Sequence, residues 1–221
     1  CIMQHTRTLT LLIIAALTAL TACNAQTNSK HMQAKTEEEK QPVANNLATR
    51  MPVPQGYKRV NVAEGSFAHF LRNLPLKPAG SDLHYYNRQV KERKYAGVVV
   101  DMDFGKNANE QCADAIIFLR ASYLWKTRQY AKINFNFTNG FKAEYAKWAQ
   151  GYRIRNNKAW VKTQKANYGY QSFRKYLNLV FQYAGTASLS QELKPIGRCW
   201  AADIQAGDVI IKGGFPGHAE M

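Results

Sequence analysis

Two side chains in this sequence are candidates for nucleophilic catalysis, Cys112 and His218. The local pattern places Cys112 in the first turns of a helix, where unpaired N–H groups and the helix dipole favour an anion. A thiolate held there has a lowered pKa and is the nucleophilic form. His218 follows the glycine-rich stretch Gly213, Gly214, Pro216, Gly217 and opens an expected last strand. An imidazole beside the thiolate serves first as general base and then as general acid. A competing reading is structural. Cys112, Ile116, Leu119 and Tyr123 recur at spacings of four, three and four, which puts them on one helix face and makes Cys112 a small core residue. His218 would then be structural or bind a ligand. Asp114 and Asp208 are candidates for substrate binding; each also has a structural reading, at a helix start and in a turn before a strand. A third polar group must orient the imidazole. It is expected on a strand after the histidine, yet only Ala219, Glu220 and Met221 follow. The chain is therefore expected to stop short of its natural carboxyl end, and to lack that residue.

The elements that position these groups are legible in outline. Ser66 can cap a short helix bearing Phe67, Phe70, Leu71 and Leu74, ended by Pro75 and Pro78. Ala96 to Asp101 has the pattern of a buried strand. Asn107 with Glu110 is a capping box for the helix that carries Cys112 and runs to about Trp125. Ile133, Phe135 and Phe137 alternate with asparagines, as in a half-buried strand. Phe141, Tyr145 and Trp148 predict a helix closed by Gly151, and Tyr152 to Val161 a hairpin about Asn156-Asn157. A strong helix is predicted from Tyr170 to Tyr183, a further turn near Ser188, and a strand at Val209 to Ile211. The expected fold is α+β: a single domain with a central antiparallel or mixed sheet and packed helices.

The amino end carries a different chemistry. His5 and Arg7 precede an apolar run from Leu9 to Leu20 that is too short to span a bilayer. It ends in Leu20-Thr21-Ala22-Cys23, which resembles the lipobox of bacterial lipoproteins. That resemblance implies cleavage before Cys23 and acyl chains on its sulfur, a strong membrane anchor. Met3 is the expected initiator. The organisation predicted is a signal peptide over 1–22, a lipid-anchored flexible tether over 23–50, polar and with a charged run at 36–40, and a globular domain over 51–221. The expected location is the cell envelope, anchored to a bacterial membrane, with the outer membrane foremost. Lys and Arg outnumber Asp and Glu 30 to 15, so the surface attracts polyanions. An exported protein rarely meets nucleic acid, which favours lipid headgroups or cell-wall and glycan polymers; a basic surface that serves only solubility is the competing reading. No Cys-x-x-Cys or Cys/His cluster points to a metal, and no cofactor is expected. Cys112 and Cys199 are the one pair open to a disulfide.

Two resemblances extend this reading. A cysteine at a helix start followed by a strand-borne histidine, with Gly207-Asp208-Val209-Ile210-Ile211 before it, resembles the papain-like layout of the NlpC/P60 and CHAP cell-wall peptidases. That implies Cys112 as nucleophile, His218 as base, and an oxyanion site from N–H groups near Gln111 and Cys112. The separation exceeds that of compact members, so an insertion over the aromatic block 133–183 is implied. The strings at 66–78 (SFAHFLRNLPLKP), 111–116 (QCADAI), 183–189 (YAGTASL) and 207–219 (GDVIIKGGFPGHA) are similar to a Bacteroidetes lipoprotein family, domain of unknown function 4846. The likeness covers the globular part. The family pattern implies Arg and Glu where Phe118 and Ser122 stand here, a pair expected on the helix surface. Three functions follow as expectations. The first is an envelope lipoprotein with a cysteine peptidase or amidase domain. The others are a non-catalytic binder of glycan or anionic polymer, with Tyr168, Tyr170, Tyr176, Tyr183, Trp148 and Trp160 as a sugar platform, and a structural subunit of an envelope complex.

Overall fold

A computed structural model describes residues 45–85, 87, 89–91, 97–103, 111–196 and 203–221. Two short helices come first, α1 (Leu47–Arg50) and α2 (Phe67–Arg72). Asn46 caps α1 by accepting the Thr49 N–H at 3.0 Å, and it is buried where it bridges Pro75. Residues 46–50 are thus folded, on the tether side of the expected boundary. Ser66 caps α2 as the sequence predicts, accepting the His69 N–H at 3.1 Å.

The expected strand at 96–101 is reduced. In its described part, one antiparallel bridge joins Val100 to Leu76, flanked by hydrogen bonds from Lys77 to Val99 and from Asp101 to Pro75. The partner segment is bounded by Pro75 and Pro78, which have no N–H to extend a ladder. Asn107 and Glu110, the expected capping box, lie outside the described residues.

Helix α3 (Cys112–Lys126) follows Gln111 as its N-cap. The Asp114 carboxylate reaches back to accept the Gln111 N–H at 2.8 Å, the acidic half of a capping box. Cys112 is thereby the first helical residue. The buried arc of α3 is wider than the stripe read from sequence. Ala113, Ile117, Phe118, Ala121, Ser122 and Leu124 are all buried, whereas Cys112, Leu119 and Tyr123 are only partly so. Positions 118 and 122 are therefore interior, and the surface pair that the family pattern suggested would be a buried one here.

A 3-10 turn (Tyr130–Lys132) leads into β1 (Asn134–Asn136), which pairs antiparallel with β2 (Lys142–Glu144). Ile133, Phe135 and Phe137 point inward, as their alternation predicts. The helix expected from Phe141 starts later, as α4 (Tyr145–Ala149). Residues 142–144 pair with β1 instead, a tertiary contact overriding local periodicity. Hairpin β3 (Tyr152–Arg155) and β4 (Ala159–Lys162) turns at Asn156 and Asn157, with φ of 50° and 56°. Asparagine tolerates this left-handed region better than most residues.

Helix α5 (Tyr170–Tyr183) buries Phe173, Tyr176, Leu177 and Val180, the predicted stripe, and α6 (Thr186–Glu192) follows. Tyr176 is fully buried, and its hydroxyl donates to the Ala143 carbonyl at 2.7 Å. The last hairpin pairs β5 (Ile210–Lys212) with β6 (His218–Glu220), and Ala219 of β6 enters the core where the strand packs on α3. The α+β class holds, and every described residue falls in one unit, Pro42–Met221. Among the described residues the strands form three separate antiparallel pairs instead of one central sheet.

Candidate active site

Cys112 is a partly buried, free thiol. Cys199 and Cys23 lie outside the described residues. At N1 of a 15-residue helix, the sulfur sits where first-turn amides and the dipole stabilise negative charge. It opens into a cavity of about 300 Å³. One wall is the start of α3, from Gln111 to Asp114; another is the turn Gly214 to Gly217.

The sequence of that turn explains its closeness. The Thr186 hydroxyl at the start of α6 donates to the Gly214 carbonyl at 3.1 Å and clips the turn in place. A Cβ on Gly217 would stand 2.1 Å from the Thr186 Oγ1, and one on Gly213 would stand 2.2 Å from the Ser190 Oγ. Only glycine permits this approach.

His218 leaves the turn as the first residue of β6. Its side chain is 64% exposed, and Nε2 lies 3.0 Å from Glu220 Oε1. The strand period of two puts residues 218 and 220 on one face and Ala219 on the other. Glu220 is thus the partner of the imidazole, a residue the sequence reading passed over because it sought a further strand. The i, i+2 spacing was the available signal. Among the described residues no hydrogen bond joins the Cys112 thiol to the His218 ring, and the cavity lining includes Gly217 but not His218. The structure brings the thiol to the turn that delivers the histidine and leaves the ring on Glu220.

Asp114 lines the same cavity at 5% exposure. Burial pushes its carboxyl up to about 6, outweighing the stabilising Gln111 N–H. Because Asp114 occupies the Gln111 N–H, that amide is not open to an oxyanion, which corrects one of the two donors expected. The amides of Cys112 and Ala113 remain as first-turn donors without an intrahelical acceptor. Asp208 lies elsewhere. It accepts the Gln205 N–H at 2.8 Å, which fixes the turn before β5, and borders a different cavity of about 440 Å³ beside Leu193 and Ile210.

Most of the aromatic residues considered for a sugar platform are used in packing. Trp148 and Tyr176 are core; Trp160 packs on Phe141 and Tyr183 on Phe137. Among the described residues no group of three His, Cys, Asp or Glu could hold a metal, and no helix is long and apolar enough to cross a membrane.

The model of a protein family, domain of unknown function 4846, matches residues 47–221. The chain belongs to this family. The match begins at the first residue of α1 and takes in Cys112, Asp114, Asp208, His218 and Glu220, so the whole candidate site lies within the DUF4846 domain. No curated protein and no solved structure matches the chain.

Proposed function

We propose that this DUF4846 domain is a papain-like cysteine hydrolase that cuts amides in cell-wall or peptide substrates, carried on a Bacteroidetes-type envelope lipoprotein. The observation that carries the reading is the cavity lined both by Cys112, at N1 of α3, and by the Gly214–Gly217 turn, with His218 and its carboxylate partner Glu220 immediately beyond. Cys112 is the nucleophile, His218 the base, and Glu220 the group that orients the imidazole.

The chemistry follows from those roles. The thiolate attacks the amide carbonyl carbon, and the oxyanion formed accepts hydrogen bonds from the first-turn amides of α3. The C–N bond breaks as His218 gives its proton to the departing amine. Water, deprotonated by His218, then opens the thioester and returns the thiolate. To take part, the ring must turn from its exposed position on β6 toward Cys112; catalytic hydrogen bonds commonly tighten only around substrate. The lipid anchor of this proposal is Cys23, supported by Leu20-Thr21-Ala22-Cys23, with the outer membrane as its site.

The test is alkylation of Cys112 by iodoacetamide against pH, read on the Cys112 peptide by mass spectrometry. Cys112 should be alkylated in the folded protein, faster than the same thiol in the unfolded chain. His218→Ala should abolish turnover of an amide substrate, and Glu220→Gln should lower it less. A thiol that stays unreactive until the protein unfolds would be a core cysteine, and the hydrolase reading would fall.

A further inference from the structure

A second cavity lies farther along α3, between that helix, the start of α5 and the segment 101–103, with a volume of about 170 Å³. Ser122 is some ten residues from Cys112, about 15 Å along a helix at 1.5 Å per residue. The two cavities share no lining residue among those described.

Its lining has a definite chemistry. Aromatic walls come from Phe118, Trp125, Tyr170 and Phe173, and Trp125 stacks on Phe173 with ring centroids 5.4 Å apart. Ser122 is 8% exposed and lines the cavity, yet its hydroxyl makes no hydrogen bond to any described residue. A serine in a helix commonly bonds the carbonyl four residues back; this one does not, which leaves its hydroxyl available as donor and acceptor in the cavity that it lines. At the rim stand the carboxylates of Asp101 and Asp103, the latter 3.4 Å from the Tyr170 hydroxyl.

Charge narrows the ligand. The two carboxylates share the lining with Lys126, whose ammonium stands 5.4 Å from the Phe70 ring centroid. The site therefore sets both donors and acceptors around an aromatic wall. A simple cation would meet Lys126, and a simple anion would meet the two aspartates. The volume equals that of about six waters at ~30 Å³ each, which suits one small ring and not a drug-sized molecule.

We propose that this cavity is a carbohydrate subsite that takes a single pyranose ring. The C–H face of the sugar packs on the aromatic wall. Its hydroxyls donate to Asp101 and Asp103, and the Ser122 hydroxyl supplies a further hydrogen bond. The inference does not depend on Cys112 being a nucleophile.

The test uses the full chain with its four tryptophans labelled with nitrogen-15, the Trp125 indole signal being assigned by Trp125→Phe. The probes are N-acetylglucosamine, cyclohexanol as a ring without the hydroxyl array, and n-pentylammonium as a cation. N-acetylglucosamine should move the Trp125 signal saturably. Asp101→Asn and Ser122→Ala should each weaken that binding by about fivefold to tenfold, the worth of one buried hydrogen bond. Ser122→Ala should leave the melting temperature unlowered, because no protein contact is lost. Equal binding of cyclohexanol would reduce the cavity to an apolar hole. Binding of pentylammonium without sugar would make it a cation site. Unchanged sugar affinity in Ser122→Ala, or no saturable shift at all, would also overturn the proposal.

Discussion

Asp114 is where single-residue chemistry has a measurable consequence. Its carboxyl is raised from 3.8 to about 6 because it is buried. Between those values the folded protein holds a proton that the unfolded chain has released. Stability from this group is therefore greatest below about pH 4 and is lost as pH rises through about 6. Asp114→Asn keeps an oxygen for the Gln111 N–H but has nothing to ionise. Melting temperature measured from pH 4 to 8 should show a fall across that window in the natural protein and a flatter profile in the variant. Identical slopes would mean that the carboxylate is better solvated than its 5% exposure implies. The residue types at the candidate site were readable from the sequence: a cysteine in the first turns of a helix, and a histidine after glycines. The histidine's partner was harder to see. Glu220 became visible only when residues 218–220 were found paired with β5, which fixed the face each one occupies.

At the scale of elements, agreement between sequence and structure follows the strength of local signals. Helix α5 carries a regular apolar stripe and appears over the predicted range. The turn at Asn156-Asn157 also appears where turn chemistry puts it. The failures are segments whose state depends on a distant neighbour. Residues 142–144 have a helical apolar spacing but pair with β1, and Val98–Val100 look like a strand but find a partner interrupted by prolines. Nothing in a local window contains that information. The connection from α4 to β3 shows how strictly one residue can be held. Gly151 has φ of 95°, and a Cβ there would lie 2.1 Å from the Gln164 carbonyl oxygen. Gly151 also accepts the N–H groups of Thr163 and Gln164, so the carbonyl cannot simply move away. Gly151→Ala is expected to destabilise the domain by about 2–4 kcal/mol, from positive φ together with the backbone clash. Urea unfolding checks this, and a midpoint like that of the parent would show that the loop can open without loss.

For the whole molecule the dominant fact is a net charge of +15. Self-repulsion of that size opposes the compact state and is screened by salt. Melting temperature should therefore rise by a few degrees between about 0.02 and 0.2 M sodium chloride, before any ion-specific effect. A flat or falling response would mean that the basic groups are already neutralised locally. Paired cations do occur, such as Lys147 with Glu144 at 2.6 Å and Arg153 stacked 3.9 Å from the Trp148 ring centroid. The sequence correctly implied one α+β domain, because alternating and helical periods are interleaved along the chain. It did not reveal that the strands would form isolated pairs, since pairing partners are a property of the assembled core.

The packing of β6 on α3 also sets an order in time. The cavity beside Cys112 is walled by Gly214 to Gly217, about a hundred residues further along, and contacts so distant in the chain form late. A polypeptide made from its amino end emerges with α3 long before the last hairpin exists. Until residues 210–220 arrive and Ala219 docks, there is a thiol at a helix tip but no turn opposite it and no histidine near it. Under the proposed chemistry, the nascent chain is then silent by construction, and competence arrives with residues 214–220.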